Sequence, residues 1–320
     1  MNRPISRRKL LRNAAITAAA YAIPLPIGAC ENEAVEREPV STPVPPEQVS
    51  DPDRARLAAW TTALRTEAQA AGETPLGRSA SRVGELASGT PYEPFTLEEY
   101  LRAGGSPLRT EPLTLSLTRF DCVTLVESCL AVARVAESDG APSWERFGSE
   151  VERMRYRGGE RREFTSRLHY FSEWIADGAK RGLLRDLGSE LGGVEDARLL
   201  RFMTEHRKSY LALADSTVFR EIGAMERRLD GHPRRVIPTE RIAKVADSIE
   251  TGDVLGFATG ISGLDVTHSA FAYRDAQGIL RVLHAPLSGG VVEVTRLTLP
   301  EYVAAIRRST GILVARPLRG

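Results

Sequence analysis

The hydrophobic pattern of the chain changes once, near residue 250, and this change restricts the folds open to it. Before that point, apolar residues recur every three or four positions, which is the spacing of helices that bury one face. After it, short apolar segments alternate with turn residues, which predicts the strands of a meander. These strands are expected at Asp253 to Thr259, Val266 to Tyr273, Ile279 to His284 and Val291 to Val294. The sequence therefore predicts an α+β fold with helices packed on an antiparallel sheet.

The helical part is predicted to include a large insert, from about residue 140 to residue 250. Helices are expected at Arg54 to Gln69, Ser79 to Leu86, Asp121 to Val135, Trp144 to Met154, Arg167 to Lys180, Asp196 to Leu213, Val218 to Leu229 and Ile242 to Ile249. An additional strand is predicted at Leu113 to Leu117, where apolar residues alternate. Because long inserts between catalytic halves commonly build pockets, the insert is expected to contribute to substrate binding.

The first 29 residues are predicted to be an export signal rather than part of the fold. They carry five cationic residues and no acid before an apolar run. Ser6 to Arg12 resembles a twin-arginine signal, and Ile27 to Cys30 resembles a lipobox, which would make Cys30 the lipidated first residue of the mature chain. The apolar run is interrupted by prolines and is shorter than the roughly 20 residues that cross a bilayer, which disfavours an uncleaved anchor helix. We therefore expect an exported protein, held at the periplasmic face of a membrane.

Residues 30–53 are rich in Pro, Glu, Val and Ser and are predicted to form an extended tether for a catalytic domain at 54–320. Removal of the five cationic residues changes the formal net charge from +1 to −4. A mildly acidic protein without a basic stripe is a poor candidate for nucleic-acid binding.

Cysteine usage points to catalysis rather than to a disulfide. Only Cys122 and Cys129 remain after Cys30, and in a helix their seven-residue separation is a rise of about 10 Å, beyond disulfide reach. Asp121 is suited to be the N-cap, so that Cys122 opens the helix. The helix dipole would lower the pKa of a thiol at that position. Cys129, on the apolar face, is expected to be a buried packing residue.

The predicted meander supplies the imidazoles that a cysteine hydrolase needs. A turn at Asp275 to Gly278 would place His268 opposite His284 or Ala285, and an even register would put both rings on one face. His169 lies in Ser166 to Phe171, whose Arg, His and aromatic residues either line a pocket or pack a polar seam. His206 and His232 are expected to be solvated.

These residues carry a resemblance to a known group of proteins. Asp121-Cys122, the segment Asp265 to His268 and the segment Leu283 to Ala285 resemble the Cys, His and third polar residue of NlpC-type cell-wall hydrolases, a papain-like superfamily. Further matches resemble the branch described as N-acetylmuramoyl-L-alanine amidase-like, and the whole resemblance covers about Leu86 to Pro317. The matching motifs are Gly89 to Tyr92, Phe120 to Thr124, Arg155 to Gly159, Ser166 to Phe171 and Gly263 to Asp265.

The resemblance implies a papain-like core that hydrolyses the amide between N-acetylmuramic acid and L-alanine in muropeptides, anhydro-sugar forms included, without a cofactor. It implies that Cys122 is the nucleophile, His268 the general base and acid, and His284 the orienting residue. Support for the substrate or the oxyanion is expected from Tyr92, Asp121, Arg167, His169, Tyr170 and Asp265. Glu93-Pro94-Phe95 departs from the small-residue turn that usually follows the family's tyrosine, so the pocket rim is expected to differ.

Other functions remain open at this stage. A zinc amidase would use His268 and His284 with Asp253 or Asp265 as ligands, although no HExxH or CxxC spacing supports a metal site. A γ-D-glutamyl-diaminopimelate endopeptidase and an acyl transferase acting on lipids would keep the cysteine chemistry. A non-catalytic lipoprotein that binds peptidoglycan would have lost a member of the triad, and none is missing.

Overall fold

A computed structural model describes residues 51–72, 74–287 and 290–319. The predicted export signal, Cys30 and the tether up to residue 50 lie outside these residues. The catalytic domain, expected from residue 54, is preceded by the first turn of the helix that begins at Asp51. The helices are α1 (Asp51–Ala71), α2 (Leu76–Leu86), α3 (Glu99–Arg102), α4 (Cys122–Glu137), α5 (Trp144–Arg155), α6 (Phe171–Lys180), α7 (Phe202–Glu205), α8 (Ser216–Leu229), α9 (Ile242–Val245) and α10 (Leu299–Ala305). In the described part, none of them has the length and apolar character needed to cross a membrane.

The strands form one antiparallel sheet, which confirms the mixed α and β prediction. They are β1 (Leu184–Asp186), β2 (Val194–Asp196), β3 (Arg234–Pro238), β4 (Val254–Thr259), β5 (Val266–Arg274), β6 (Leu280–His284), β7 (Glu293–Val294) and β8 (Ser309–Pro317). Their order is β2-β3-β8-β4-β5-β6-β7, and β1 pairs with β8. Because β8 lies between β3 and β4, the end of the chain joins the insert to the meander.

Helix α4 lies at the centre of the fold because nearly all of its side chains are apolar or small. It packs against β5 and is covered by α1, α2 and α5. Its residues from Leu125 to Ala136 are buried. A second apolar layer on the opposite face of the sheet lies beneath α10 and includes Phe257 and Leu299. Helix α4 is thus held on every side, which fixes the position of its first residue.

The insert is not wholly helical, which corrects the prediction for residues 140–250. It contributes β1, β2 and β3 to the sheet. The helix predicted from Asp196 to Leu213 is wrong, because Asp196 ends β2 and only the short α7 and 3-10 turns follow. Tertiary hydrogen bonds explain this, since the backbone N–H groups of Arg201 and Phe202 both donate to the Gly263 carbonyl, each at 3.0 Å. Helix α9 likewise stops at Val245, before a 3-10 turn.

Two segments near the site lack the regular structure that was predicted for them. The helix expected from Arg167 begins at Phe171, because Arg167 forms a bridge with Tyr156 and Leu168 N–H donates to the Arg155 carbonyl at 3.0 Å. The strand expected at residues 113–117 has no partner strand among the described residues. Its last residue, Leu117, instead donates its N–H to the Asp53 carboxylate at 2.6 Å.

The β5–β6 hairpin differs from its predicted register by at least one residue. Phe271 pairs with Leu283 and Arg274 with Leu280, so the loop has five residues instead of four. The Asp275 N–H closes this loop by donating to the Ile279 carbonyl at 3.0 Å. Extended along the strands, this register places His268 opposite residue 286, not opposite 284 or 285 as predicted. The register remains even, so His268 and His284 lie on one face as diagonal neighbours.

Candidate active site

Cys122 is the first residue of α4, and the preceding Asp121 caps the helix as predicted. The Thr124 N–H donates to Asp121 Oδ1 at 2.7 Å, while the Asp121 N–H donates to Thr124 Oγ1 at 2.9 Å. Cys122 is only 3% exposed, yet it lines a cavity of about 320 Å³. Cys129 is fully buried in the core beneath it. The helix therefore presents one thiol to a cavity and buries the other.

The predicted lowering of the Cys122 pKa is wrong for the resting protein. Burial raises the pKa of this thiol and the charge of Asp121 adds to the rise, which brings the pKa to about 12 although Ser269 and the helix N–H group act in the opposite direction. Desolvation therefore outweighs the helix dipole at this position. The resting cysteine is a neutral thiol at pH 7.

The two histidines of the meander contact each other directly. His268 Nε2 lies 2.8 Å from His284 Nδ1, and the rings meet edge to face with centroids 5.0 Å apart. On its other side His268 stacks on Phe257 at 5.6 Å. Burial lowers the pKa of His268 to about 4. Burial and the neighbouring His268 lower the pKa of His284 well below its ordinary value. Both rings are therefore neutral at pH 7.

Two side chains connect the thiol with this pair of histidines. Ser269 follows His268 in β5 and lies close enough to Cys122 to lower the pKa of the thiol. The Tyr302 hydroxyl lies 3.3 Å from His284 Nδ1, and the charge of a Cys122 thiolate, after burial, raises the pKa of Tyr302. The start of α4 and the strands that carry both histidines therefore meet at one site.

Four of the six predicted supporting residues line the cavity, namely Tyr92, Asp121, Arg167 and His169. Burial, followed by the charges of Cys122 and Asp121, raises the pKa of Tyr92, so its hydroxyl remains a neutral donor. His169 is buried and its Nε2 lies 2.9 Å from the Phe164 carbonyl oxygen. Burial lowers the pKa of His169 well below its ordinary value.

The other two predicted supporting residues, Tyr170 and Asp265, are not among the residues that line the cavity. The Tyr170 hydroxyl donates to Glu226 at 2.7 Å, and Asp265 accepts hydrogen bonds from the Ser172 and Val266 N–H groups, each at 2.7 Å. The Tyr170 contact joins two parts of the insert, and the contact between Asp265 and Ser172 attaches the insert to the start of β5. The two residues therefore support the cavity wall without facing the cavity.

A network of paired charges lines the floor of the cavity. Arg155 Nε donates to Glu127 at 2.7 Å, and both side chains are at most 3% exposed. Arg167 Nη2 donates to Glu98 at 2.5 Å, and its Nε lies 3.6 Å from Glu111. The cavity floor is therefore charged but internally paired.

The rim of the cavity includes Phe95, whose backbone is left-handed, with φ of +63°. The Arg102 guanidinium lies over the Phe95 ring, 4.8 Å from its centroid, and both residues line the cavity. The stacked pair of Phe95 and Arg102 therefore shapes this part of the rim.

Sequence reasoning did not identify Ser269, Tyr302, Glu293 or Glu127 as site residues. Tyr302 belongs to α10, which has no distinguishing motif, and Glu127 lies among apolar residues on α4. The sequence does carry an indication for Glu293, because it is a charged residue in the short strand that follows the strand of His284. The acids of the zinc alternative lie elsewhere, since Asp253 forms an ion pair with Arg316 at 2.8 Å. Within the described ranges, no three His, Cys, Asp or Glu side chains are placed to hold a metal ion.

Comparison with known proteins identifies a family for this arrangement. The family described as N-acetylmuramoyl-L-alanine amidase-like matches residues 82–312. Among solved structures, an N-acetylmuramoyl-L-alanine amidase from Bacteroides uniformis has 28% identity and a TM-score of 0.69, with 76% of this chain and 99% of that chain covered. A protein from Bacteroides fragilis described as a putative xylanase has 30% identity and a TM-score of 0.66, with 73% and 99% covered.

A more distant structure, protein LPG0564 from Legionella pneumophila, shares the fold at 19% identity and a TM-score of 0.56, covering 83% of this chain and 97% of that one. No curated protein matches the chain. The family match spans most of the chain, including Cys122, both histidines of the meander and the insert. The chain therefore belongs to the N-acetylmuramoyl-L-alanine amidase-like family.

Proposed function

We propose that the protein is a cysteine amidohydrolase that cleaves the amide between N-acetylmuramic acid and L-alanine in peptidoglycan fragments. The observation that carries this proposal is the 2.8 Å contact between two neutral histidines, one of them on the strand that packs against α4, whose first residue presents a thiol to a cavity. The family and the amidase from Bacteroides uniformis support the choice of bond. A papain-like core of the NlpC type is part of the same proposal, supported by the position of Cys122 at the start of α4.

The first chemical step follows from the neutral resting state. His268 accepts the thiol proton as Cys122 Sγ attacks the amide carbonyl carbon, so no thiolate has to persist in the buried site. The Cys122 N–H at the start of α4 has no partner within the helix and can donate to the developing oxyanion. Tyr92, kept neutral by its raised pKa, is placed to provide a second donor.

The second half of the reaction returns the enzyme to its starting state. The imidazolium of His268 gives its proton to the leaving amine nitrogen of L-alanine as the carbon–nitrogen bond breaks. Water, deprotonated by His268, then attacks the thioester, and the carboxylic acid leaves as the thiol is restored. His284 accepts a hydrogen bond from His268 throughout and orients its ring.

A glycosidase, suggested by the neighbour described as a putative xylanase, needs two carboxyl groups free to act on a sugar bond. The carboxylates that line this cavity are already engaged. Asp121 caps α4, Glu127 binds Arg155 and Glu98 binds Arg167. The amide bond is therefore the better-supported target.

The test uses the mature protein with a defined disaccharide-tetrapeptide, in reducing and anhydro forms, and mass spectrometry of the products. Release of the intact tetrapeptide and of the disaccharide without its peptide is expected. Iodoacetamide should abolish this release, whereas a chelator should leave it unchanged. Cleavage between D-glutamate and diaminopimelate would indicate the endopeptidase alternative, and cleavage between sugars would indicate a glycosidase. Chelator sensitivity without thiol sensitivity would indicate the zinc alternative.

We further propose that the protein is exported and anchored through a lipidated Cys30, which is supported by the charge and lipobox pattern of residues 1–30. The full-length protein should fractionate with membranes, whereas a Cys30→Ser variant should remain unlipidated. Equal lipid labelling of both forms would contradict the anchor. The amidase assay is independent of this result.

A further inference from the structure

His284 has polar neighbours at both ring nitrogens, although it is only 2% exposed. Its Nδ1 lies 2.8 Å from His268 Nε2 and 3.3 Å from the Tyr302 hydroxyl. Its Nε2 is buried without a hydrogen-bond partner, and Glu293 Oε1 lies 3.9 Å away. The location of the proton on this ring decides what each of these contacts can do.

Two tautomeric arrangements fit the contact between the histidines. In the first, His268 Nε2–H donates to a bare His284 Nδ1, so His284 carries its proton on Nε2 and His268 keeps a free lone pair on Nδ1. In the second, His284 Nδ1–H donates to His268, which then carries its proton on Nδ1. Nε2 of His268 is occupied by His284 in both arrangements. Only the first leaves His268 a nitrogen that can accept the thiol proton.

Glu293 distinguishes the two arrangements because a carboxylate is only an acceptor. It is the cross-strand partner of His284 in the β6–β7 pair, so the backbone register holds the two side chains on the same face. A proton on His284 Nε2 would point its positive end towards Glu293. A lone pair there would face the negative charge in a buried environment. Glu293 therefore favours the first arrangement.

Tyr302 acts on the same ring from the other side. Its hydroxyl can donate to a bare Nδ1, and its ring packs against His284, with centroids 5.2 Å apart, and against Phe257 at 5.4 Å. These contacts hold the hydroxyl near Nδ1. Burial, Cys122 and Glu293 raise the pKa of Tyr302, which keeps the hydroxyl proton in place. With His268 Nε2–H and the Tyr302 hydroxyl sharing its one lone pair as donors, His284 Nδ1 stays unprotonated.

We propose that Glu293 and Tyr302 are positioning residues that hold His284 with its proton on Nε2 and thereby leave the Nδ1 lone pair of His268 free to accept the thiol proton. The kinetic part of this proposal rests on the proposed amidase function. Neither residue contacts the substrate in this scheme. With them, the group formed by the thiol and the two imidazoles gains a hydroxyl from α10 and a carboxylate from β7.

The test compares Glu293→Leu and Tyr302→Phe with the wild type in the full mature chain. Nitrogen-15 NMR of histidine-labelled protein reports the tautomer of His284, whose signals are assigned by their loss in His284→Gln. The wild type should show His284 protonated on Nε2 alone. Each variant should show a population protonated on Nδ1 and a fall in kcat of about three- to tenfold at unchanged KM, the size expected when one hydrogen-bonding or polar partner is lost.

Glu190→Leu is the matched control, because Glu190 and Glu293 side chains are equally exposed, at 54%, and Glu190 pairs with Arg185 at the other end of the sheet. It should change neither the tautomer nor kcat. A wild-type tautomer in both site variants would overturn the proposal, as would a changed tautomer with full kcat. If Tyr302→Phe does not fold, the exposed Glu293 position still decides. If the wild type cleaves no muropeptide, the proposed function fails, while the NMR measurement still tests the tautomer.

Discussion

The two walls of the cavity are both buried, but they handle charge in opposite ways. On one wall, Cys122 lines the cavity and is neutral, as are His268 and His284 in the strands packed behind it, because burial raises the pKa of the thiol and lowers the pKa values of the imidazoles. On the other, Arg155 and Glu127 form an ion pair at 2.7 Å. The same desolvation therefore removes charge where a proton can move and retains it where a partner is fixed.

This difference indicates which wall can react and which wall is structural. A neutral thiol and a neutral imidazole can exchange one proton as the carbonyl is attacked, so charge appears only during the reaction. A buried guanidinium and carboxylate cannot separate without leaving an unpaired charge in the interior. We infer that the neutral wall carries out the reaction and that the charged wall maintains the shape of the cavity.

Removal of the nucleophile from the neutral wall should cause the greatest loss of activity. Cys122→Ala should lower kcat on the order of 10⁶-fold, the loss seen when a nucleophile is removed from a hydrolase triad. Its circular dichroism spectrum should be unchanged, because Cys122 lines the cavity and the cap by Asp121 remains. Turnover of the disaccharide-tetrapeptide by the purified variant is the measurement.

Cys129→Ala is the matched control on the same helix. Cys129 is fully buried in the core and does not line the cavity. It should keep most of the activity and lose some stability. An active Cys122→Ala enzyme, or an inactive but folded Cys129→Ala enzyme, would refute the assignment of the nucleophile.

A second prediction concerns the buried ion pair of the charged wall. Arg155→Met leaves Glu127 buried without its partner, and the free energy of unfolding should fall by about 3–5 kcal/mol. Urea unfolding followed by circular dichroism measures this. The double variant Arg155→Met/Glu127→Leu should recover much of the loss, because it removes both charges.

Arg162→Met is the surface control for that experiment. Arg162 pairs with Glu160, and both side chains are about two-thirds exposed, at 67% and 66%. Its removal should leave the unfolding curve unchanged, since solvent screens the pair. A single Arg155→Met variant as stable as the wild type would show that the buried pair does not stabilise the charged wall of the cavity.

The sequence predicts the parts of this site that local patterns determine. The cap at Asp121, the start of α4 at Cys122 and the burial of Cys129 follow from helix chemistry and periodicity. The shared face of His268 and His284 follows from the alternation of strands, even though the hairpin register is different. Each of these features depends on neighbours within a few residues.

The parts that the sequence does not predict depend on distant contacts. The segment after Asp196 takes its shape from hydrogen bonds to Gly263, and β8 pairs with strands about 60 and 75 residues earlier in the chain. The pKa of Cys122 differs from the local expectation for the same reason. The helix dipole can be inferred from local sequence, whereas the desolvation that outweighs it comes from the whole packed domain.

A third prediction concerns the ionisation of Cys122, which its rate of alkylation measures directly. With the pKa of Cys122 raised to about 12, the rate of its alkylation by iodoacetamide should rise about tenfold per pH unit from pH 6 to 9, because only the thiolate reacts. The Cys122→Ala variant gives the background from Cys129. A rate that stays constant over this range would instead indicate a thiolate–imidazolium pair at rest. In the same range kcat/KM should not show a histidine titration: with the His268 pKa lowered to about 4, the base becomes protonated, and activity falls, only as the pH drops towards that value.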